Sequence, residues 1–99
     1  MEIEYDEEAI AEAMEAAAWY ESRSEGLSLR FLAKWKQAET RMVSDPMINH
    51  VFGDGFRRCR FEVFPYALVY RVRGESVIQV LAVMHQKRHP GYWKSRLDV

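Results

Sequence analysis

Apolar residues recur every three or four positions in the first half of the chain and nearly every second position in much of the rest. Ile10, Ala13, Met14, Ala17 and Tyr20 have the spacing of one helix face, and alanines fill the interval. Asp6 is placed to cap this helix, and Glu7 and Glu8 suit the positive end of its dipole. Gly26 fits the position just past a helix end, which predicts termination near Ser24. Ser28 can cap a second helix whose apolar side is Phe31, Leu32, Trp35, Ala38 and Met42. Asp45-Pro46 ends it, because a residue before proline avoids helical angles. So short a connection predicts an antiparallel helical hairpin.

"MEIEY", Met1 to Tyr5, alternates apolar and acidic and predicts a short edge strand. Residues 47–55, "MINHVFGDG", read as a connection rich in turn residues. Three strands are expected after it. Arg57 to Phe64 places Cys59, Phe61 and Val63 on one side and Arg58, Arg60 and Glu62 on the other. Tyr66 to Arg73 puts Tyr66, Leu68 and Tyr70 on one face, and Ser76 to Met84 is apolar on both faces, as in a central strand. Pro90 stops further extension, and Tyr92 to Leu97 predict a short terminal helix. The expected fold is α+β: an N-terminal helical hairpin on one face of a mainly antiparallel sheet of three or four strands. The first strand must then reach a sheet edge across the helices. The other face is expected to stay partly open, with Arg58 and Arg60 on it.

Ninety-nine residues suit one small domain, 1–99. An apolar fraction of 48% without any run near ~18 residues argues against a membrane partner. The acidic N-terminus lacks signal-peptide order, and Cys59 is the single cysteine, so a cytoplasmic setting is expected. Charge is unevenly spread. Residues 1–25 carry nine acidic and one basic residue, or −8, and residues 26–99 carry six and thirteen, or +7. The later part is therefore suited to meet an anion, although acidic and basic faces can also only solubilise different elements. Arg57, Arg58, Arg60, Arg71 and Arg73 fall on adjacent strands, where like charges repel and call for a compensating anion. His85 and His89 have metal spacing only on a helix, which Pro90 opposes, so neither a metal nor another cofactor is expected.

Three stretches carry a resemblance. They are "EAAAWYESR" (Glu15 to Arg23), "FPYALVYRV" (Phe64 to Val72) and "VLAVMHQKRHPGYWKSR" (Val80 to Arg96). In this order and spacing they resemble the RelE/ParE superfamily of toxins from type II toxin–antitoxin systems, with the last matching an Ala-Val-x-His-x-x-Arg-x-Pro-x-x-Trp signature. The resemblance implies a growth-inhibiting toxin neutralised by a cognate antitoxin that wraps its sheet or helices. ParE-like members are linked to inhibition of DNA gyrase by binding. RelE-like members are ribosome-dependent nucleases of messenger RNA, and an inactive member would only bind its antitoxin.

The nuclease branch implies cations that stabilise a pentavalent phosphate, a group that activates the 2′-hydroxyl and an acid for the leaving oxygen. On this chain its candidates are Arg58, Arg60, His85, Arg88 and Tyr92, with Trp93 taking the place of Tyr92 after a one-residue shift. Ala67 and Gln86 stand where that branch carries arginines, and arginine does not act as a base near neutral pH. The expectation is therefore a ParE-like toxin without catalytic residues. Its target- or antitoxin-binding candidates are Arg58, Arg60, Arg71, Arg73, His85, Arg88, Trp93 and Arg96. His85 suits a hydrogen bond to a backbone carbonyl better than a partner contact, Arg88 suits an internal acidic partner as well as an external one, and Trp93 can instead pack the terminal segment onto the sheet.

Overall fold

A computed structural model describes residues 1–52 and 54–97; residue 53, within the expected connection, and residues 98 and 99 lie outside the description. The elements in chain order are β1 (Glu2–Tyr5), α1 (Glu7–Arg23), α2 (Leu27–Ser44), β2 (Val51–Phe52), β3 (Phe56–Arg60), β4 (Tyr66–Arg73), β5 (Val77–His85) and a 3₁₀ turn, Tyr92–Arg96. One sheet holds all the strands in the order β1-β5-β4-β3-β2. β1 runs parallel to β5 and every other pair is antiparallel. The two helices cross one face, so the α+β architecture is as the periodicity predicts. The fifth strand, β2, lies inside the stretch expected to be only a connection. It pairs Val51 with Arg57 and Phe52 with Phe56. No helix among the described residues is long and apolar enough to cross a membrane.

Asp6 caps α1, accepting a hydrogen bond from the Glu8 N–H at 2.9 Å. The inward face of α1 differs from expectation. Ala9, Ala13, Ala16 and Ala17 are buried, whereas Ile10 and Met14 are exposed. Small residues let the helix backbone approach the sheet closely, so the alanine stripe and not the larger Ile10 and Met14 faces inward. The cap of α2 also differs. Ser28 lies one residue inside the helix, and Gly26, at φ 86°, is its N-cap. Glu21 supplies the missing acceptor, taking the Gly26 N–H at 3.0 Å and the Ser28 N–H at 2.9 Å. Phe31, Ala38 and Met42 of α2 are buried as expected. Trp35 donates to the Tyr5 hydroxyl at 2.9 Å, and Tyr5 donates to Glu39 at 2.7 Å, which ties β1 to α2.

β3 stops at Arg60 rather than running to Phe64. Val63 has φ 73° and is 71% exposed, so the chain bends before alternation can place Val63 beside Cys59. β5 extends one residue past Met84 to include His85. A bulge interrupts the β4–β5 ladder, where Val69 pairs with Ala82 but Tyr70 with Val80. Leu81, the extra residue, and Ala82 join a second apolar cluster, while Val80 and Val83 face the helices. That cluster explains why β5 is apolar throughout. Phe56, Val69, Leu81, Ala82 and Met84 are covered by Trp93, so the second face is closed at its centre.

Two outcomes follow from this packing. Trp93 is 1% exposed and meets the Phe56 ring at 4.5 Å. Trp93→Ala is expected to lower unfolding free energy by ~3–5 kcal/mol, read from urea titration. The Gly26 and Ser28 hydrogen bonds hold the Glu21 carboxyl below its ordinary value of 4.5. A folded pKa below the unfolded one gives stability that is fully present above that value and lost as pH falls through the lowered one. Glu21→Gln should therefore lower Tm at neutral pH, and the difference should close in acid.

Candidate functional site

The sheet sorts the candidate cations into separate places. Arg58 and Arg60 sit opposite Val69 and Ala67 of β4. They line a cavity of about 240 Å³ together with Tyr66, Ala67, Met84 and Gln86. The Arg58 guanidinium lies 4.6 Å from the Phe52 ring centroid, and Arg60 is exposed. A second cavity, of about 430 Å³, adjoins them and adds Arg41, Asn49 and His50. Arg41 donates to the Arg60 carbonyl at 2.5 Å, which carries a third guanidinium from α2 to this edge. Neither lining contains a carboxylate. Such a concave surface concentrates positive potential and suits an anion.

The other strand arginines are paired off. Arg57 projects to the opposite face and donates to the carbonyls of Met47 and Asn49, at 3.0 and 2.6 Å. Arg71 donates to Gln79 at 2.8 Å, and its guanidinium lies 5.6 Å from the Phe56 ring. Arg73 pairs with Glu4 across β5 at 3.5 Å. The repulsion expected among five neighbouring arginines is thus relieved by local partners, and only Arg58 and Arg60 remain together.

His85, Arg88 and Tyr92 lie elsewhere, in a cleft against α1 lined also by Glu12, Glu15, Ala16, Trp19, Tyr66 and Val83. The His85 ring meets Tyr66 edge-on at 5.0 Å, and its Nδ1 accepts from the Lys87 N–H at 3.0 Å. The Arg88 guanidinium rests 3.8 Å over the Tyr92 ring. The nuclease candidates are therefore divided, with Arg58 and Arg60 in one cavity and His85, Arg88 and Tyr92 in the other.

Trp93 and Arg96, expected on a binding surface, are inside the fold. Trp93 fills the second core, and the Arg96 side chain is 10% exposed. Arg96 bonds Glu12 through both terminal nitrogens at 2.8 and 3.2 Å, Glu8 at 2.8 Å and the Leu81 carbonyl at 3.0 Å. Glu12 also accepts from the Tyr92 hydroxyl and from the Val83 N–H at 3.1 Å. Burial and then the Glu12 hydrogen bond push the Tyr92 phenol up, so it stays protonated at neutral pH. Burial opposes the charge on Arg96, but the Glu12 hydrogen bond and charge outweigh it and raise its pKa.

Sequence reasoning did not single out Glu12. Its signal is positional: Ala9, Glu12, Ala13 and Ala16 share one helix face, so an acid interrupts the alanine stripe that meets the sheet. Among the described residues no three His, Cys, Asp or Glu side chains gather as a metal site requires. Residues 86–90 are not helical, so His85 and His89 are not brought together on a helix face.

Replacing Glu12 by Ala leaves the Arg96 guanidinium, the Tyr92 hydroxyl and the Val83 N–H without their acceptor. The expected cost is ~2 kcal/mol, below the scale for breaking a fully buried pair because both side chains keep some exposure. Urea unfolding measures it, and limited proteolysis should cut first within 86–97.

A model of the family described as "ParE toxin of type II toxin-antitoxin system, parDE" matches residues 3–90. A search of curated proteins finds no match. Among solved structures, a chain of the "Chromosomal ParDE TA system from P. aeruginosa" superposes with a TM-score of 0.72 at 19% identity, covering 86% of this chain and 95% of that one. That likeness carries the fold, and the family model spans most of the sequence as well. The chain belongs to the ParE toxin family of type II toxin–antitoxin systems.

Proposed function

We propose that this ParE-family toxin acts in the cytoplasm by binding its target, DNA gyrase, and is neutralised by a cognate antitoxin. One observation carries the choice of binding over chemistry. The cavity that holds Arg58 and Arg60 has the uncharged Ala67 and Gln86 where the nuclease branch carries arginines, and the Tyr92 phenol is committed to Glu12 in a different cleft. Phosphoryl chemistry there would lack two further cations, each on a scale of roughly 3 kcal/mol. Both cores share one sheet, which supports reading residues 1–99 as one domain.

The second reading, a ribosome-dependent endoribonuclease of messenger RNA, is favoured by one feature. Arg58 and Arg60 line cavities without any carboxylate, as a phosphate-binding surface would. Induction of the chain in a bacterial host separates the readings. Growth arrest with altered plasmid supercoiling and intact messenger RNA is the expected outcome, with relief by co-expressed antitoxin. Under the binding reading Arg58→Ala and Arg60→Ala leave transcripts uncut, as in the native chain. Cleaved transcripts that become intact in either variant would establish the nuclease instead. Absence of any growth defect would leave a family member that only binds its antitoxin.

A further inference from the structure

The larger cavity beside Arg58 and Arg60, about 430 Å³, lies between β3, the last turn of α2 and the connection before β2. That volume is within the range of small-molecule pockets. Its wall is fixed by internal hydrogen bonds. Arg57 donates to the Met47 and Asn49 carbonyls, and the Tyr70 hydroxyl donates to the Pro46 carbonyl at 2.6 Å. The Asn49 amide donates to the same hydroxyl at 3.0 Å. The connection is thus pinned to the sheet before any ligand arrives, and it carries His50 to the cavity as a further donor.

The charges in the lining select the ligand. Arg58 lies flat on Phe52, which leaves its N–H edge outward, and Arg60 is two residues away on the same face of β3. Arg41 spends one terminal nitrogen on the Arg60 carbonyl and keeps its other donors. Burial pushes the Cys59 thiol up, so it stays neutral at pH 7 and adds no negative charge. Donors that reach one space from a strand, a helix and a connection suit an anion with oxygens in several directions. A phosphate monoester offers three such oxygens and nearly two charges, whereas a planar carboxylate engages one guanidinium fork and leaves the others unpaired. The cationic surface is also short. Past Arg41 come the negative end of α2 and Asp45, past Arg60 comes Glu62, and the adjoining cavity adds no cation to Arg58 and Arg60. A nucleic-acid chain laid across both cavities would therefore meet no more charge than one phosphate does. We propose that this cavity binds a small phosphate monoester, a sugar phosphate or nucleoside monophosphate, through Arg41, Arg58, Arg60 and His50.

This goes beyond both toxin readings, since Arg41, Asn49 and His50 belong to neither and a monoester has no internucleotide bond to cut. The test titrates the isotope-labelled chain with ribose 5-phosphate, adenosine monophosphate, acetate and oligothymidylate lacking terminal phosphate, followed by NMR. Both monoesters are expected to shift the signals of Asn49, His50 and Arg58 and to leave those of Ala67 and Gln86 in place. Tighter binding of adenosine monophosphate would identify a nucleotide site, and equal binding a site for the phosphate group alone. Arg58→Gln and Arg60→Gln should each weaken the monoesters by about fivefold, the upper scale of one exposed ion pair. Glu62, 63% exposed and 4.0 Å from Arg41, opposes an anion there, so Glu62→Gln should tighten binding by about twofold. These side chains are exposed, and an unchanged remainder of the spectrum shows that each variant is folded. No shift at millimolar monoester, shifts centred on Ala67 and Gln86, or acetate binding as tightly would overturn the proposal. So would tighter binding of oligothymidylate than of either monoester.

Discussion

The Glu12 carboxylate joins three parts of the molecule that the chain keeps far apart. It accepts from the backbone of β5 at Val83, from the Tyr92 hydroxyl and from the Arg96 guanidinium, across 71, 80 and 84 residues. An acid at the helix–sheet junction would be costly alone, but here every donor around it is charged, phenolic or a backbone N–H. Trp93 falls between the two side chains that Glu12 holds, so the same carboxylate sets the lid of the second core. The bulge contributes as well. It displaces Leu81 from the ladder, and the Leu81 carbonyl is taken by Arg96.

This arrangement divides the basic residues into those that build the fold and those that face solvent. Arg96 and Arg57 spend their donors on internal acceptors, and Arg71 and Arg73 have partners on the sheet. Arg58, Arg60 and Arg41 converge at one edge, where β2 covers β3 only at Phe56 and Arg57. Arg88 is held on Tyr92 near the far side of Tyr66. The molecule thus presents two recessed surfaces of different chemistry, one where arginines gather and one where Tyr66, Trp19 and Tyr92 meet Glu15 and Arg88.

Much of the fold was legible because the cues are local. The three- and four-residue spacing of α2 and the alternation of β4 follow from backbone geometry that each segment carries by itself. The misreadings arise where a neighbouring element or turn decided the outcome. Ile10 and Met14 look like core residues, yet α1 turns its alanines inward because the sheet is close. Alternation promised Val63 a place beside Cys59, but the turn leading to β4 bends the chain first. Glu21 replaced Ser28 as the cap of α2 because folding the hairpin brought its carboxylate to the Gly26 N–H.

The sequence by itself determined the helices, most of the strands, the terminal aromatic segment and the family, since all of these reside in residue order and short spacings. Tertiary structure alone decided which arginines face solvent and which disappear. A guanidinium is as satisfied by a carbonyl or carboxylate eighty residues away as by a foreign anion, and only the packed sheet brings the internal acceptor within 3 Å for Arg96.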